Sequence, residues 1–172
     1  YLRMWWEVDH HKIGDKWRFY SKGGNFRRYY GNIQDVIDWS DEARYFYKTN
    51  KTSNLLNEAF WYREGITYSA VTSRGTGFRY LPQGCVFDMG GPAIFVNDSH
   101  LLGVLALLNS SVATYYFSVM NPSINLQTKD IKSLPVILDC SDEIEKLAKE
   151  NMELAKYDWN YNENSSDFLM SE

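Results

Sequence analysis

Apolar and polar positions alternate in short blocks through the first half of the chain and settle into helical spacing only in the second. Residues 1 to 8 and 16 to 20 are rich in aromatic and β-branched side chains, and polar runs (Asp9-His10-His11-Lys12 and Ser21-Lys22-Gly23-Gly24) bound them, which predicts two short strands. Ile33 to Trp39 forms another short apolar-polar block, and Asp41 to Thr49 and Ser53 to Trp61 fit either helical turns or loops. Gly65 to Thr72 alternates β-formers with small residues. Phe78-Arg79-Tyr80-Leu81 and Cys85-Val86-Phe87-Asp88 are separated by Pro82-Gln83-Gly84 and are expected as neighbouring antiparallel strands joined by a tight turn. Ser73-Arg74-Gly75-Thr76-Gly77 is then an exposed connector carrying a cation.

Asp98 or Ser99 can cap a helix running to about residue 117, apolar around most of its circumference and so expected to be buried. Asn121-Pro122 stops it, because proline cannot continue a helix. Thr128 to Val136 reads as a polar turn leading to a short strand. From 141 to 156, Ser141 caps, Asp142 and Glu143 suit the positive helix end, and Ile144, Leu147, Ala148, Met152 and Ala155 recur at three- and four-residue spacing. The expected class is α+β: a mostly antiparallel, β-rich unit over 1–138, a C-terminal helix over 139–157, and a polar tail or the start of a truncated segment over 158–172.

Composition changes this picture in two places. With 172 residues, 44% of them hydrophobic, the chain can bury a core. The net charge of −4 hides an asymmetry: residues 1–80 hold 13 Lys and Arg against 9 acids, net +4, and residues 81–172 hold 5 against 13, net −8. A nucleic-acid partner is therefore not excluded for the N-terminal half. Cys85 and Cys140 form no CxxC pair, so neither a zinc site nor a disulfide framework is expected, and a reducing cytoplasm fits. No signal peptide is visible, the apolar run Leu101–Leu108 is too short to span a bilayer, and an opening at Tyr1 without methionine suggests an excised fragment.

Candidate chemistry concentrates in Lys22-Gly23-Gly24-Asn25-Phe26-Arg27-Arg28-Tyr29-Tyr30-Gly31-Asn32. Cations there can neutralise phosphates, glycines let main-chain N–H groups approach them, and aromatic rings can pack on sugars or unstacked bases. A solvated basic turn is the alternative. For Arg27, Arg28, Arg74 and Arg79 the choices are phosphate or guanine contact, or exposed charge on strand edges. GxSxG, HExxH, GxxxxGK[ST] and GxGxxG are all absent, which leaves hydrolase, zincin, nucleotidase and dinucleotide functions without a starting point. Asn121-Pro122-Ser123-Ile124 lacks the second proline and the aromatic of an adenine-flipping Asn-Pro-Pro-Tyr motif. His10 and His11, adjacent on a strand, would face opposite ways, and Asp88 and Asp98 read as turn and cap residues.

Several segments together resemble the C-terminal part of bacterial adenine-specific DNA methyltransferases, those of the BREX phage-defence PglX type and related type II restriction-modification enzymes. They are Leu2-Arg3-Met4-Trp5-Trp6-Glu7-Val8, Tyr20 to Asn32, Glu64 to Ser69, Phe78-Arg79-Tyr80, Leu107-Leu108-Asn109-Ser110, Asn121 to Asn125, Leu134-Pro135-Val136, Asp158-Trp159 and Ser166-Asp167-Phe168. The resemblance implies a DNA target recognition domain that does not itself catalyse, alongside a methyltransferase core of the same polypeptide that flips adenine and methylates N6 from S-adenosylmethionine. Its partners would be double-stranded DNA and that core, with no membrane. Target-reading positions differ among such domains, so the resemblance assigns no base contacts; from their residue types Lys22, Gly23, Gly24, Arg27, Arg28, Tyr29, Tyr30 and Asn32 are expected at the DNA backbone, Thr67, Ser69, Ser73 and Arg74 in a groove, and Arg79 at DNA as well. The alternatives are a docking domain of the same defence system, acting through its acidic half, and a domain like that of a type I restriction specificity subunit, which would be expected to repeat. A metal-dependent nuclease would need a cluster of acidic ligands that the sequence does not offer.

Overall fold

The computed structural model describes residues 1–53, 55–73, 75–136 and 141–168. Its elements are β1 (Leu2–Met4), β2 (Trp17–Ser21), β3 (Asp35–Asp38), α1 (Asp41–Thr49), β4 (Gly65–Tyr68), β5 (Phe78–Leu81), β6 (Val86–Phe87), β7 (Ala93–Ile94), α2 (Leu101–Asn109), α3 (Ser111–Met120), α4 (Thr128–Lys132) and α5 (Asp142–Asn160). The class is α+β, as expected. One sheet has the order β1-β3-β2-β6 and the other β5-β4-β7. Every strand pair is antiparallel except β2 with β6, where Tyr20 lies opposite Val86 and Ser21 opposite Phe87.

That parallel pair corrects one expectation. β5 and β6 are not neighbours: β5 pairs with β4, while β6 crosses to the edge of the first sheet. The turn at Pro82-Gln83-Gly84 changes sheets: its immediate flanks Leu81 and Cys85 share one cluster, while farther out Phe78 packs with α2 and α3 and Val86 with α1. Tyr62 closes it, donating its N–H to the Cys85 carbonyl and accepting from Gly84 N–H, 3.1 and 3.0 Å. The N-terminal strand is also shorter than expected, since Trp5–Glu7 winds into a 3₁₀ turn after β1.

Three apolar clusters follow from this topology. The largest joins Ile66, Tyr68 and Phe78 of the second sheet to Leu101, Val104, Leu105 and Leu108 of α2 and to Ala113 and Phe117 of α3. Trp39, Ala43, Tyr47 and Val86 form another beneath α1, and Ile33, Leu81 and Cys85 lie between the two sheets' strands. Burying these side chains is the main favourable term holding the sheets and helices together.

The helix expected near 99–117 is two helices, bent by 64° at Ser110. Asn109 at the end of α2 is buried and spends its side chain on β5, accepting from Phe78 N–H at 3.0 Å and donating to the Phe78 carbonyl at 2.9 Å. Ser110 then takes an extended backbone and its Oγ accepts from Ala113 N–H, capping α3. No described helix is long and apolar enough to cross a membrane by itself. The C-terminal helix runs four residues beyond the expected 156. A short strand was expected to follow Thr128–Ser133; Val136 lies in no strand, and residues 137–140 lie outside the described residues.

Candidate nucleic-acid interface

The Lys22–Asn32 loop leaves β2 and is fixed at three points. First, Gly23 sits at φ +93°, where a Cβ would come within 2.7 Å of the Gly90 carbonyl oxygen, so only glycine allows that approach. Next to it, the Gly24 carbonyl accepts from Ser69 Oγ at 2.9 Å. Second, Tyr29 bridges to β5: its N–H donates to the Phe78 carbonyl at 2.7 Å and its carbonyl accepts from Tyr80 N–H at 2.8 Å. Those two bonds hold Tyr29 at φ +66°, an unusual value for a side-chain-bearing residue. Gly77 makes room, since a Cβ there would lie 2.2 Å from the Arg27 carbonyl oxygen.

The third point is the C-terminal segment. Residues 158–172 read as a polar tail or the start of a truncated segment, yet among those described Trp159, Asn160 and Ser165 are buried. Arg27 Nη1 donates to Asp158 Oδ2 at 2.8 Å, and the guanidinium lies 4.9 Å from the Trp159 ring centre. Trp5 Nε1 donates to the Asn164 carbonyl at 2.9 Å, tying the same segment to the N-terminal turn. The ring of Tyr30 lies under Lys156 Nζ, 5.7 Å away, and stacks beside Tyr80.

Between these anchors the loop keeps its donors free. Among the described residues, no backbone N–H from Gly23 to Arg28 donates to a protein acceptor. Lys22 and Arg28 are exposed and form no ion pair with any described acid. Two concavities flank the loop. One of about 370 Å³ lies between Lys22–Arg27, Asp35 and the C-terminal segment. The other, a groove of about 850 Å³, lies between Gly24–Arg27, Val71–Ser73 and Ile124. A run of unpaired N–H groups next to cations is a site for anions.

The expected contact residues divide accordingly. Lys22, Gly23, Gly24, Arg27, Arg28, Tyr29, Tyr30 and Asn32 are brought together in the loop, and exposed Ser73 lines the groove across from it. Asn32 works inside the loop, donating from Nδ2 to the Asn25 carbonyl at 2.6 Å. Arg74 lies outside the described residues. Thr67, Ser69 and Arg79 are buried, so none presents a side chain to a groove. Thr67 Oγ1 pairs with Ser21 Oγ at 2.9 Å, and Arg79 Nη2 donates to Ser69 Oγ at 3.3 Å. Ser69, with Arg79 behind it, holds the loop from beneath, and Thr67 ties β4 to β2 at Ser21. Burial, and then the nearby charge of Arg27, pushes the Arg79 guanidinium down to about 10. It has no acidic partner among the described residues, and its Nε finds no acceptor.

Asp158 and Trp159 belong to the resemblance, but their bracing role carries no local signal, because they follow a helical run and precede Asn-rich text that reads as tail. Asp88, expected as a turn residue, is one: Oδ1 accepts from Gly90 and Gly91 N–H at 2.7 and 3.0 Å, and Oδ2 accepts from Tyr20 Oη at 2.8 Å. Burial and that carboxylate raise the Tyr20 phenol far above its ordinary value. Asn121 ends α3 and braces the next turn, donating to Asp130 Oδ2 at 2.6 Å and to the Asn125 carbonyl at 2.8 Å. No group of three or more His, Cys, Asp or Glu among the described residues is placed to hold a metal ion.

No protein-family model matches the chain. Relatives of known name do. The chain is similar to one segment of two adenine-specific methyltransferases. The "Adenine-specific methyltransferase BrxX" of Escherichia coli O9:H4 (strain HS) is 35% identical over 177 residues. The "Adenine-specific methyltransferase PglX" of Lacticaseibacillus casei (strain Zhang) is 34% identical over 186 residues. Each match takes in 98% of this chain but only 14% and 16% of the respective relative's length. The similarity thus runs through the loop, both sheets and the C-terminal helix together.

Proposed function

We propose that this chain is a DNA-recognition module of an adenine-specific methyltransferase of bacterial phage defence, and that its Lys22–Asn32 loop grips the DNA backbone. The observation that carries this is the run of unpaired N–H groups from Gly23 to Arg28 beside the exposed cations Lys22, which also acts on nearby Asp35, and Arg28. A phosphate satisfies such donors without rearrangement of the loop, which is already fixed at Gly24, Tyr29 and Arg27. Similarity to named adenine-specific methyltransferases supports DNA as the polymer. The groove formed with Val71–Ser73 and Ile124 is where base edges would lie.

Methyl transfer would belong to the rest of the parent protein, with S-adenosylmethionine bound there; this chain orients the duplex. A division into a recognition unit over 1–138 and a C-terminal helix belongs to the same proposal, with Asp158–Ser165 reaching back to brace the loop. A second, compatible role is docking onto the methyltransferase core, favoured by exposed Leu147 and Leu154 on α5 and Tyr161 just past its end.

Fluorescence anisotropy with random-sequence duplex at low and physiological salt tests the proposal. Binding should weaken steeply with salt, and Arg28→Ala should weaken binding and make the slope of log affinity against log salt shallower by roughly one unit. Absence of binding at low salt, or an unchanged slope in Arg28→Ala, would sink the assignment of this loop.

A further inference from the structure

The two adjacent arginines of the loop stand in different electrostatic states. Arg28 is exposed, near the Phe26 ring, with no described acid beside it. Arg27 is only 28% exposed, with Nη1 on the Asp158 carboxylate at 2.8 Å and its guanidinium held 4.9 Å from the centre of the Trp159 ring. An arginine that already has its own carboxylate forms a nearly neutral pair, so it releases few counterions on meeting a phosphate. It does keep an unspent edge: Nε and Nη2 meet no acceptor among the described residues. Two parallel N–H donors on a planar fork match O6 and N7 of guanine. The stacking ring and the ion pair fix the fork's rotamer before any contact, which lowers the entropy lost on binding.

We infer that Arg27 reads a guanine in the target duplex, and that Asp158 and Trp159 are the positioning residues that aim it. This rests on the DNA-recognition proposal above, and it separates the loop into Arg28 and the free N–H groups, which grip the backbone, and Arg27, which specifies sequence. Arg27 lines both concavities that flank the loop.

The test selects duplexes from a randomised library on the 172-residue chain and on its Arg27→Lys, Asp158→Asn and Arg28→Ala variants, with the salt dependence of each measured on unselected random duplex. Thermal melting confirms that each variant is folded. The wild-type consensus should contain a guanine whose enrichment falls about tenfold in Arg27→Lys, which keeps the charge and loses the fork, and severalfold in Asp158→Asn. The salt slope should be unchanged in Arg27→Lys. In Arg28→Ala the consensus should persist while the slope becomes shallower. A consensus unaltered in both Arg27→Lys and Asp158→Asn would overturn the inference, as would a wild-type selection that enriches no sequence. If Arg28→Ala behaves as expected while the Arg27 variants do not, the backbone-gripping role of the loop stands and only the guanine assignment falls.

Discussion

Arg79 shows how much a single side chain can mislead a reader of the sequence. Phe78-Arg79-Tyr80 alternates, and on a sheet with one solvated face the arginine would point to water. Here the loop from Lys22 lies over that face, Gly24 bonded to Ser69 and Ser69 to Arg79, and the guanidinium is 1% exposed. Its bonds to Ser69 Oγ and to the Gly77 carbonyl, 3.3 and 3.4 Å, are long and go to uncharged oxygens. A buried charge with so little compensation contributes little net stability, while the volume it fills does contribute. Arg79→Met should therefore unfold in urea with a free energy no lower than about 1 kcal/mol below wild type. Arg79→Ala should lose about 3 kcal/mol, the cavity being left open. A large loss in Arg79→Met would mean that the charge itself is needed. The exposed cations of the loop were legible because glycines and charge are local signals. The burial of Thr67, Ser69 and Arg79 was not, because it depends on a chain crossing set by residues far away in sequence.

Among elements, helices were legible where a cap and a stripe coincide. Ser141 and the run from Ile144 to Ala155 gave α5 with its N-terminus correct, and only the far end ran on to Asn160. The break between α2 and α3 was hidden, because Leu101 to Tyr116 is apolar enough to pass as one buried helix. What breaks it is tertiary: Asn109 is drawn to the Phe78 backbone and Ser110 recaps the chain. Ser110→Ala should lower unfolding free energy by about 1 kcal/mol, the usual loss for an N-cap serine, as measured by urea denaturation. An unchanged midpoint would show that the bend is held by Asn109 without the cap. Strand order was the least legible feature, since two strands joined by a tight turn pair with each other by default. β6 departs from that because Val86 is buried with Trp39, Ala43 and Tyr47, apart from the Ile66–Phe78 core.

At the scale of the whole molecule, α5 has two apolar stripes with different fates. Ala148 and Trp159 are buried, whereas Leu147 and Leu154, with Tyr161 just past the helix end, lie seven residues apart and are 49%, 69% and 49% exposed. The sequence offered one stripe and left open whether it packs on its own domain or on a neighbour; the helix has a side for each. Leu154→Lys should change the stability of the 172-residue chain by less than about 0.5 kcal/mol. Ala148→Leu should lose about 1–3 kcal/mol through overpacking, both read by urea denaturation. Comparable losses from the two would mean that the outer stripe is already covered within this chain.

The unpaired amides of the loop have a consequence for isotope labelling. Backbone protons held in sheets and helices exchange with solvent deuterium only when the structure opens, whereas those of Gly24, Asn25, Phe26 and Arg28 sit in exposed residues with no bond to break. In the free protein they exchange at nearly the rate of an unstructured peptide, although the loop around them is pinned at three points. Rigidity and protection, which normally travel together, are uncoupled in this one stretch of chain. Any anion that settles there slows those amides directly, so the loop carries a built-in label for its own occupancy.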